Sequence, residues 1–403
     1  MTAIREMAER LQDRPPLGRL SLVCLIGFVC ASPFSISVAQ IFTFTGIGAW
    51  LISLWKEPRP GGPRFPLWIP FVVFSALTLL SALLSDDSLR SLKDARQLLQ
   101  ILIFYLAVHV IRDDREALWL TKTLLAATAV AALYTLGVAL TSQIDLANRM
   151  SGFFSIYMTL AGFLVIVGAL ALTYVVLPGG SAQWWIYGAG LLILAALMST
   201  FSRNAWIGIA AAAVFAVIAA RRWKWAAWLV VIAAAAVLMS PGTVRKRVES
   251  MGNLKDITAR ERVFMWKSGL RMIADRPFAG FGLDMIKLNY SRYAHPEALK
   301  KRTGHLHNNL LHVAAERGLP ALVAWIWIWA AFYAAGYRRR MFFREGSFER
   351  RFLTVGGFAA VTGFLVAGLF EYNFGDSEVV MIAYFAMALP FVGGSREEAL
   401  SDT

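Results

Sequence analysis

Apolar runs of about 15–25 residues follow one another along most of the chain, separated by short polar stretches. A helix needs about 20 apolar residues to cross the hydrocarbon core of a bilayer, which is about 30 Å thick. The pattern therefore predicts about 12 transmembrane helices. They cover approximately residues 20–36, 38–55, 66–84, 97–111, 117–140, 157–176, 184–200, 204–220, 225–239, 319–337, 352–370 and 379–393.

The composition indicates the same fold class. Hydrophobic residues make up 58% of the 403 residues, and the mean hydropathy is +0.56, whereas soluble domains are about 45–50% apolar. No linker separates two globular compositions. We therefore expect an all-α polytopic membrane protein in which residues 1–403 form a single integral membrane domain.

The basic residues orient the predicted spans, because cytoplasmic loops of membrane proteins carry an excess of Lys and Arg. Four basic groups fall on one side of the predicted bundle, and we assign that side, with both termini, to the cytoplasm. They are Lys56, Arg59 and Arg64; Arg112 and Arg115; Arg221, Arg222 and Lys224; and Arg338–Arg340 with Arg344, Arg350 and Arg351. The charged residues 1–20 predict an amphipathic helix ended by Pro15 and Pro16, and not a cleaved signal peptide.

Residues 240–318 form one long loop on the opposite side. Between Pro241 and Arg302 this loop has fourteen Lys and Arg against six Asp and Glu, a net charge of +8. Ala259–Ala274 has apolar residues at helical spacing and predicts an amphipathic helix. The positive charge suits either anionic lipid headgroups or a phosphate-bearing substrate. Since basic loops are common in membrane proteins, the charge does not indicate nucleic acid as a partner.

Three of the five histidines lie in residues 303–318, at the end of this loop. The sequence predicts a helix that begins near Asn308 and stops before Gly318. His307 would then lie at the helix N-terminus, where the dipole favours a neutral imidazole and also attracts an anion. A neutral histidine is a usable general base near neutral pH. His312 would lie inside the helix and pack.

Zinc is an alternative ligand for this cluster, because His305, His307 and His312 could each supply a nitrogen. The cluster has no nearby cysteine and no HExxH motif, so the metal signal is weak and we expect no metal and no cofactor. The two cysteines, Cys24 and Cys30, lie in the first apolar run and are expected to pack as small apolar side chains.

Several charged residues lie at the predicted outer boundary of the membrane. Arg203 stands between two apolar runs, where a guanidinium is costly unless it pairs or lines a cavity. It either snorkels to the interface or contacts phosphate through its two-pronged guanidinium. Arg262 and Arg149 have the same two interpretations. Glu371 and Asp376, in the last outer loop, could counter these arginines or orient a histidine.

At these positions the chain resembles the O-antigen ligase and O-antigen polymerase superfamily, and its ligases most. The similar segments are R-M-S-G-F at 149–153, S-R-N-A-W at 202–206, R-V-F-M-W at 262–266 with P-F-A-G-F-G at 277–282, and H-L-H-N-N-L at 305–310 with E-R-G at 316–318. Their order, the number of spans and the single long outer loop extend the resemblance over nearly the whole chain.

The resemblance implies a GT-C-like fold in the bacterial inner membrane, with short helices in a long periplasmic loop, 240–318, that carries part of the active site. It implies a metal-independent, inverting glycosyltransferase that moves a glycan from undecaprenyl diphosphate to lipid A–core. By motif position, His307 matches the catalytic histidine, and Arg203 and Arg262 match the arginines that bind the diphosphate. The supporting matches are His305, Arg149 and Glu371.

Three alternatives remain open at the level of the sequence. A polymerase of O-antigen repeats and an oligosaccharyltransferase that acts on proteins belong to the same superfamily, although polymerases often have two long outer loops. A transporter of lipid-linked sugars would share the spans and the arginines but would not need a general base. Transporters often contain inverted repeats, and the sequence has no clear repeat.

Overall fold

The computed structural model describes residues 2–57, 63–141, 149–180, 183–225, 256–338, 341 and 346–393. Within these residues all regular secondary structure is helical, so the predicted all-α class is confirmed. The α-helices are α1 (Thr2–Gln12), α2 (Pro16–Ala31), α3 (Ile36–Lys56), α4 (Trp68–Leu83), α5 (Ser88–Asp94), α6 (Leu102–Val110), α7 (Asp114–Thr141), α8 (Tyr157–Val176), α9 (Trp184–Ser199), α10 (Arg203–Ala219), α11 (Ile257–Asp275), α12 (Ile286–Tyr293), α13 (Asn309–Arg338), α14 (Phe348–Ala367) and α15 (Ser377–Ala388).

The lengths and compositions of these helices indicate a multi-pass membrane protein. Among the described residues, five helices are long and apolar enough to cross a membrane, namely α3, α7, α8, α13 and α14. Shorter apolar helices are α2, α4, α9, α10 and the segment Ser377–Phe391, which contains α15. The predicted span at 225–239 lies outside the described residues, except for its first residue.

The predicted span at 97–111 is not one continuous α-helix. Residues Ala95–Ile101 form a 3₁₀-helix, and only the nine residues of α6 that follow are α-helical. Polar side chains account for the difference, because residues in this 3₁₀ segment form side-chain hydrogen bonds in addition to apolar contacts. Gln100 is buried and donates a hydrogen bond from Nε2 to Ser377 Oγ at 2.7 Å. The 3₁₀ segment therefore brings polar side chains to the end of the bundle that contains the histidines.

At the other end of the bundle, ion pairs connect α7 to the segment between α1 and α2 and to α14. Arg14 Nη2 lies 2.6 Å and 2.7 Å from the two carboxylate oxygens of Glu116, and both side chains are buried. Arg350 pairs with Asp114 at the same end. Because α14 starts here and has 20 residues, its last residue, Ala367, lies about 30 Å away. The loop that follows Ala367 is therefore at the opposite end from these pairs.

Helix α8 lies in the centre of the bundle and is buried along most of its length. Helices α10 and α14 approach each other closely, since a Cβ added to Gly208 would lie 2.8 Å from the carbonyl oxygen of Gly363. Small residues at such crossings let helix backbones pack in the absence of a hydrophobic driving force. This packing fixes the N-terminus of α10, where Arg203 lies, relative to the C-terminus of α14.

Candidate active site

His307 lies directly before α13 in a constrained backbone conformation. The next residue, Asn308, accepts the backbone N–H of Leu311 at its Oδ1 at 2.9 Å and so caps the helix. The predicted helix start near Asn308 is therefore confirmed. His307 has a φ of +49°, in the left-handed region that is costly for a residue with a side chain. Such conformations persist only where the surrounding contacts hold them.

The His307 ring makes its hydrogen bond to a carboxylate 64 residues further along the chain. Its Nδ1 lies 2.7 Å from Oε1 of Glu371, which follows α14. The other oxygen of Glu371, Oε2, lies 3.3 Å from the Arg262 guanidinium. The backbone N–H of Tyr372 also donates to Oε1 at 3.0 Å. The structure thus joins three residues that the sequence singled out in three separate segments.

The Glu371 carboxyl is buried but ionised. Burial acts to raise its pKa, whereas the hydrogen bond and charge of His307 and the charge of Arg262 lower it more, so the pKa of Glu371 is below its usual value. An ionised carboxylate can only accept hydrogen bonds. In its neutral form His307 therefore donates from Nδ1, and its Nε2 carries the lone pair.

The loop between α14 and α15 is held against the histidine segment by two asparagines. Asn308 Nδ2 donates to the carbonyl of Leu369 at 2.8 Å. The Asn309 backbone N–H donates to the carbonyl of Gly368 at 2.8 Å, and its Nδ2 donates to Asn373 Oδ1 at 2.7 Å. These bonds fix the loop on both sides of the glutamate, so the distance between His307 and Glu371 is determined by neighbouring contacts.

Three arginines lie near this pair. Arg203 Nη2 pairs with Asp256 Oδ1 at 3.2 Å, and the Arg149 guanidinium lies 4.5 Å from the ring centre of Tyr157. Burial lowers the pKa of Arg262, the charge of Glu371 opposes this, and the charges of Arg203 and Arg149 lower it further. The last two effects place Arg203 and Arg149 each within electrostatic range of Arg262. An arginine nevertheless stays charged in proteins, so the group can bind an anion.

The two other histidines of the segment differ in their surroundings. His312 is 1% exposed and stacks on Tyr372 with a ring-centre distance of 3.4 Å, which confirms the prediction that it packs. Its Nδ1 accepts the N–H of Leu306, and its Nε2 lies 3.2 Å from Glu316 Oε1. His305 is exposed, and its ring lies 6.4 Å from that of His307.

A zinc site built from the three histidines does not fit this arrangement. Both ring nitrogens of His312 already have hydrogen-bond partners, and Nδ1 of His307 is bonded to Glu371. Within the described residues, no group of three or more His, Cys, Asp or Glu side chains is placed to hold a metal ion.

The glycine-rich turn at 277–282 packs against the end of the first part of α13. Helix α13 is interrupted at Gly318, whose φ is +81°, where the sequence predicts a helix end. The N–H of Leu319 donates to the carbonyl of Pro277 at 2.7 Å. A Cβ on Gly318 would overlap the carbonyl oxygen of Phe278, so only glycine fits. The turn thereby connects α11, which carries Arg262, to α13, which follows His307.

Some features of the site have no counterpart in the sequence analysis. The loop contacts of Asn309 and the stacking of Tyr372 on His312 were not predicted; the available signal was two adjacent asparagines directly after the histidines. A cavity of about 470 Å³ that includes His305 among its lining residues was not predicted either. Asp94, which lies between the predicted spans 66–84 and 97–111, also lines this cavity.

Comparison with known proteins gives one family match. Residues 188–326 match a family model described as O-antigen ligase. The matched segment contains Arg203, Arg262 and His307. This chain is O-antigen ligase-like. No curated protein sequence matches the chain.

Members of this family are glycosyltransferase-like enzymes, and their partners are in general a lipid-linked glycan and lipid A–core. In this O-antigen ligase-like chain, Arg149 and Glu371 lie outside the matched residues. Their connection to the site therefore depends on the geometry alone, and for Glu371 that geometry is a direct contact with both His307 and Arg262.

Proposed function

We propose that this protein is an O-antigen ligase that transfers a glycan from undecaprenyl diphosphate to lipid A–core. The observation that carries the proposal is the contact chain from His307 through Glu371 to Arg262, with Arg203 and Arg149 in electrostatic range. This arrangement combines an oriented base with three arginines that can bind an anion. A transporter of lipid-linked sugars would have no use for the oriented base.

His307 acts as the general base in this proposal. Glu371 accepts a hydrogen bond from Nδ1–H, so the lone pair on Nε2 is available to the acceptor hydroxyl. As the acceptor oxygen bonds to the anomeric carbon of the donor sugar, its proton moves to Nε2. The resulting imidazolium is stabilised by the Glu371 carboxylate. General-base catalysis of this kind contributes about 10²–10⁴-fold to a rate.

Arg203 and Arg262 bind the diphosphate of the donor, with Arg149 beside them. The bond between the anomeric carbon and the diphosphate oxygen breaks, and its electron pair leaves on the diphosphate. Guanidinium groups stabilise this developing charge, so the leaving group needs no proton. Attack from the side opposite the leaving group inverts the configuration of the anomeric carbon. Because the arginines supply the positive charge, the proposed reaction uses no metal.

The proposed location is the bacterial inner membrane, with both termini in the cytoplasm. The ion-paired end that contains Arg14 and Arg350 then faces the cytoplasm, and the end that contains His307 faces the periplasm. Residues 240–318 supply part of the periplasmic active site. The polyprenyl tail of the donor stays in the bilayer while its diphosphate reaches the arginines at the membrane boundary.

The direct test uses the purified protein, undecaprenyl diphosphate-linked glycan and lipid A–core in the presence of EDTA. We expect a product in which the glycan is joined to lipid A–core, detected by its shift on a gel and by mass spectrometry. A glycan that lengthens on its own carrier without lipid A–core would identify a polymerase instead. Absence of any transfer, or transfer that requires added metal, would contradict the proposal.

A further inference from the structure

A buried ion pair beside the site has no role in the mechanism proposed above. Glu316 and Arg317 lie at the end of the first part of α13, directly before Gly318, and are 4% and 1% exposed. Arg317 Nη1 lies 3.5 Å from Glu316 Oε2, and Glu316 Oε1 lies 3.2 Å from His312 Nε2. Both residues belong to the E-R-G segment at 316–318, for which the sequence suggested no chemical role.

Packing alone does not account for a charged pair at this position. Arg317 Nε and Nη1 and Glu316 Oε2 have no hydrogen-bond partner among the residues that the structure describes. Buried ion pairs often stabilise a fold less than apolar side chains of similar volume do. A cavity of about 10 Å³ that Arg317 lines has room for at most a single water molecule. The guanidinium is therefore enclosed, and neither the donor nor the acceptor can contact it.

Arg317 contacts Tyr372, the residue that directly follows Glu371. The guanidinium forms a hydrogen bond with the Tyr372 side chain. Burial, followed by the charge of Glu316, raises the pKa of Tyr372 above its usual value. The phenol therefore stays protonated, and its oxygen accepts the hydrogen bond that Arg317 donates. Because the Tyr372 ring also stacks on His312 with a ring-centre distance of 3.4 Å, the side chain is held both at its face and at its hydroxyl.

The stacked pair of Tyr372 and His312 contacts both partners of the proposed base. The backbone N–H of Tyr372 donates at 3.0 Å to Glu371 Oε1, the same oxygen that lies 2.7 Å from His307 Nδ1. His312 Nδ1 accepts the backbone N–H of Leu306, the residue before His307, at 3.3 Å. A shift of the Tyr372 side chain therefore disturbs the backbone groups beside the carboxylate and beside the imidazole.

We propose that Arg317 is a positioning residue that acts through Tyr372 to hold the Glu371 carboxylate in the orientation required by the base. This inference rests on the proposed transferase function. Since the Arg317 side chain is enclosed, it affects the chemical step and not the binding of either substrate. Glu316 holds the guanidinium through the ion pair, so the charged pair has a purpose that packing alone does not give it.

The first experiment compares kcat and KM for glycan transfer by the purified full-length protein and its variants. Tyr372→Phe keeps the stacked ring and the ion pair but removes the hydroxyl that Arg317 contacts. We therefore expect kcat to fall at least about tenfold, with the KM for each substrate unchanged. Arg317→Met, which has a similar volume without the guanidinium, should show the same split. Tyr105→Phe is the matched control and should keep the wild-type kcat, because it removes the hydroxyl of a buried tyrosine that donates to the Pro66 carbonyl.

The second experiment is a double-mutant cycle, which separates a positioning role from a merely structural one. If Tyr372 acts through Glu371, adding Tyr372→Phe to Glu371→Gln should lower kcat by less than about twofold. Losses that multiply in the double variant would overturn the inference, because Tyr372 would then act on the fold or by another route.

The remaining outcomes keep the two proposals distinguishable. A wild-type kcat in both Tyr372→Phe and Arg317→Met, or a change in KM alone, would overturn the positioning role and leave the ligase function standing. Absence of transfer by the wild-type protein would overturn both.

Discussion

At the scale of single residues, Glu371 connects the two halves of the proposed chemistry. Its two carboxylate oxygens have different partners, His307 at Oε1 and Arg262 at Oε2. The orientation of the proposed base is therefore coupled to the position of the arginine that we propose binds the diphosphate. A change at either partner therefore alters the surroundings of the carboxylate that contacts the other.

Arg262→Lys tests the donor side of the site. A lysine keeps the charge but loses the planar two-pronged contact with phosphate, so the KM for the diphosphate donor should rise about tenfold. The KM for the acceptor should stay unchanged in the same steady-state assay. Arg271→Lys, an exposed position on the same helix, is the matched control and should resemble the wild type. An effect on the acceptor KM alone would contradict the assignment.

Asp376 gives a prediction about pH and stability. Burial, followed by the charge of Glu371, raises the pKa of Asp376 from 3.8 to about 7. Between about pH 4 and about pH 7 the Asp376 carboxyl is protonated in the folded protein and ionised in the unfolded protein. The free energy of unfolding therefore falls as the pH rises through this range. At pH 8 the loss in the free energy of unfolding is at most about 4 kcal/mol, given about 1.4 kcal/mol for each pKa unit.

Asp376→Asn removes this ionisation and should therefore raise the thermal midpoint at pH 8. The gain should shrink towards pH 4, where both proteins carry a neutral side chain. Thermal unfolding of the purified protein in detergent at a series of pH values measures the difference. A gain that is the same at pH 4 and pH 8 would show that Asp376 titrates in its ordinary range.

Much of the site could be predicted from sequence because its residues occur in short local motifs. His307, Arg203 and Arg262 could each be selected from the residues around them. The contact between His307 and Glu371 could not, since it joins residues 64 positions apart and depends on how α13 and α14 pack. The sequence analysis accordingly left the role of Glu371 open between countering arginines and orienting a histidine.

At the scale of elements, the interruption of α13 positions the site. The turn at 277–282 can approach α13 only because Gly318 has no side chain and adopts a positive φ. We expect Gly318→Ala to lower the thermal midpoint by several degrees and to reduce transfer, because the turn that connects α11 to α13 must move. Unfolding scans and transfer assays on the same preparation measure both effects.

Gly48→Ala is the matched control for this change. Gly48 lies inside α3 with no atom within 4 Å of an added Cβ, so alanine should leave the midpoint unchanged or raise it slightly. If both variants lost stability equally, the loss at Gly318 would not reflect the contact with the turn.

The elements were largely predictable because long apolar runs specify membrane helices directly. The segment 97–111 departs from the prediction because Gln97 and Gln100 lie within it. Gln97 bonds locally to Asp94, whereas the hydrogen bond from Gln100 to Ser377 is a tertiary contact that hydropathy does not report. The 3₁₀ geometry of Ala95–Ile101 is consistent with a polar site at that point in the bundle.

At the scale of the whole molecule, the two ends of the bundle differ in chemistry. One end contains structural ion pairs such as Arg14–Glu116, and the other contains the histidines, the arginine group and the cavity. In the proposed orientation only the second end meets periplasmic substrates. In this orientation the basic segment 241–302 lies on the periplasmic side, where the positive-inside rule does not predict an excess of Lys and Arg. Binding of an anionic substrate at that end would explain its charge.

Cysteine labelling tests this orientation. Lys301 and Arg115 are exposed at the two ends. In intact cells with a permeable outer membrane, Lys301→Cys should react with a membrane-impermeant maleimide, and Arg115→Cys should react only after the inner membrane is opened. The parent protein, with Cys24 and Cys30 in α2, sets the background. The reverse pattern of labelling would invert the proposed topology.

The single-turnover rate of glycan transfer in His307 and Glu371 variants tests the central claim most directly. We expect His307→Ala to lose at least about 100-fold while still binding the diphosphate donor, and Glu371→Gln to lose less because the base is present but no longer oriented. His295→Ala, at a histidine that stacks on Phe264 and is not part of the contacts among His307, Glu371 and Arg262, should keep the wild-type rate. Transfer by folded His307→Ala at the wild-type rate would contradict the account.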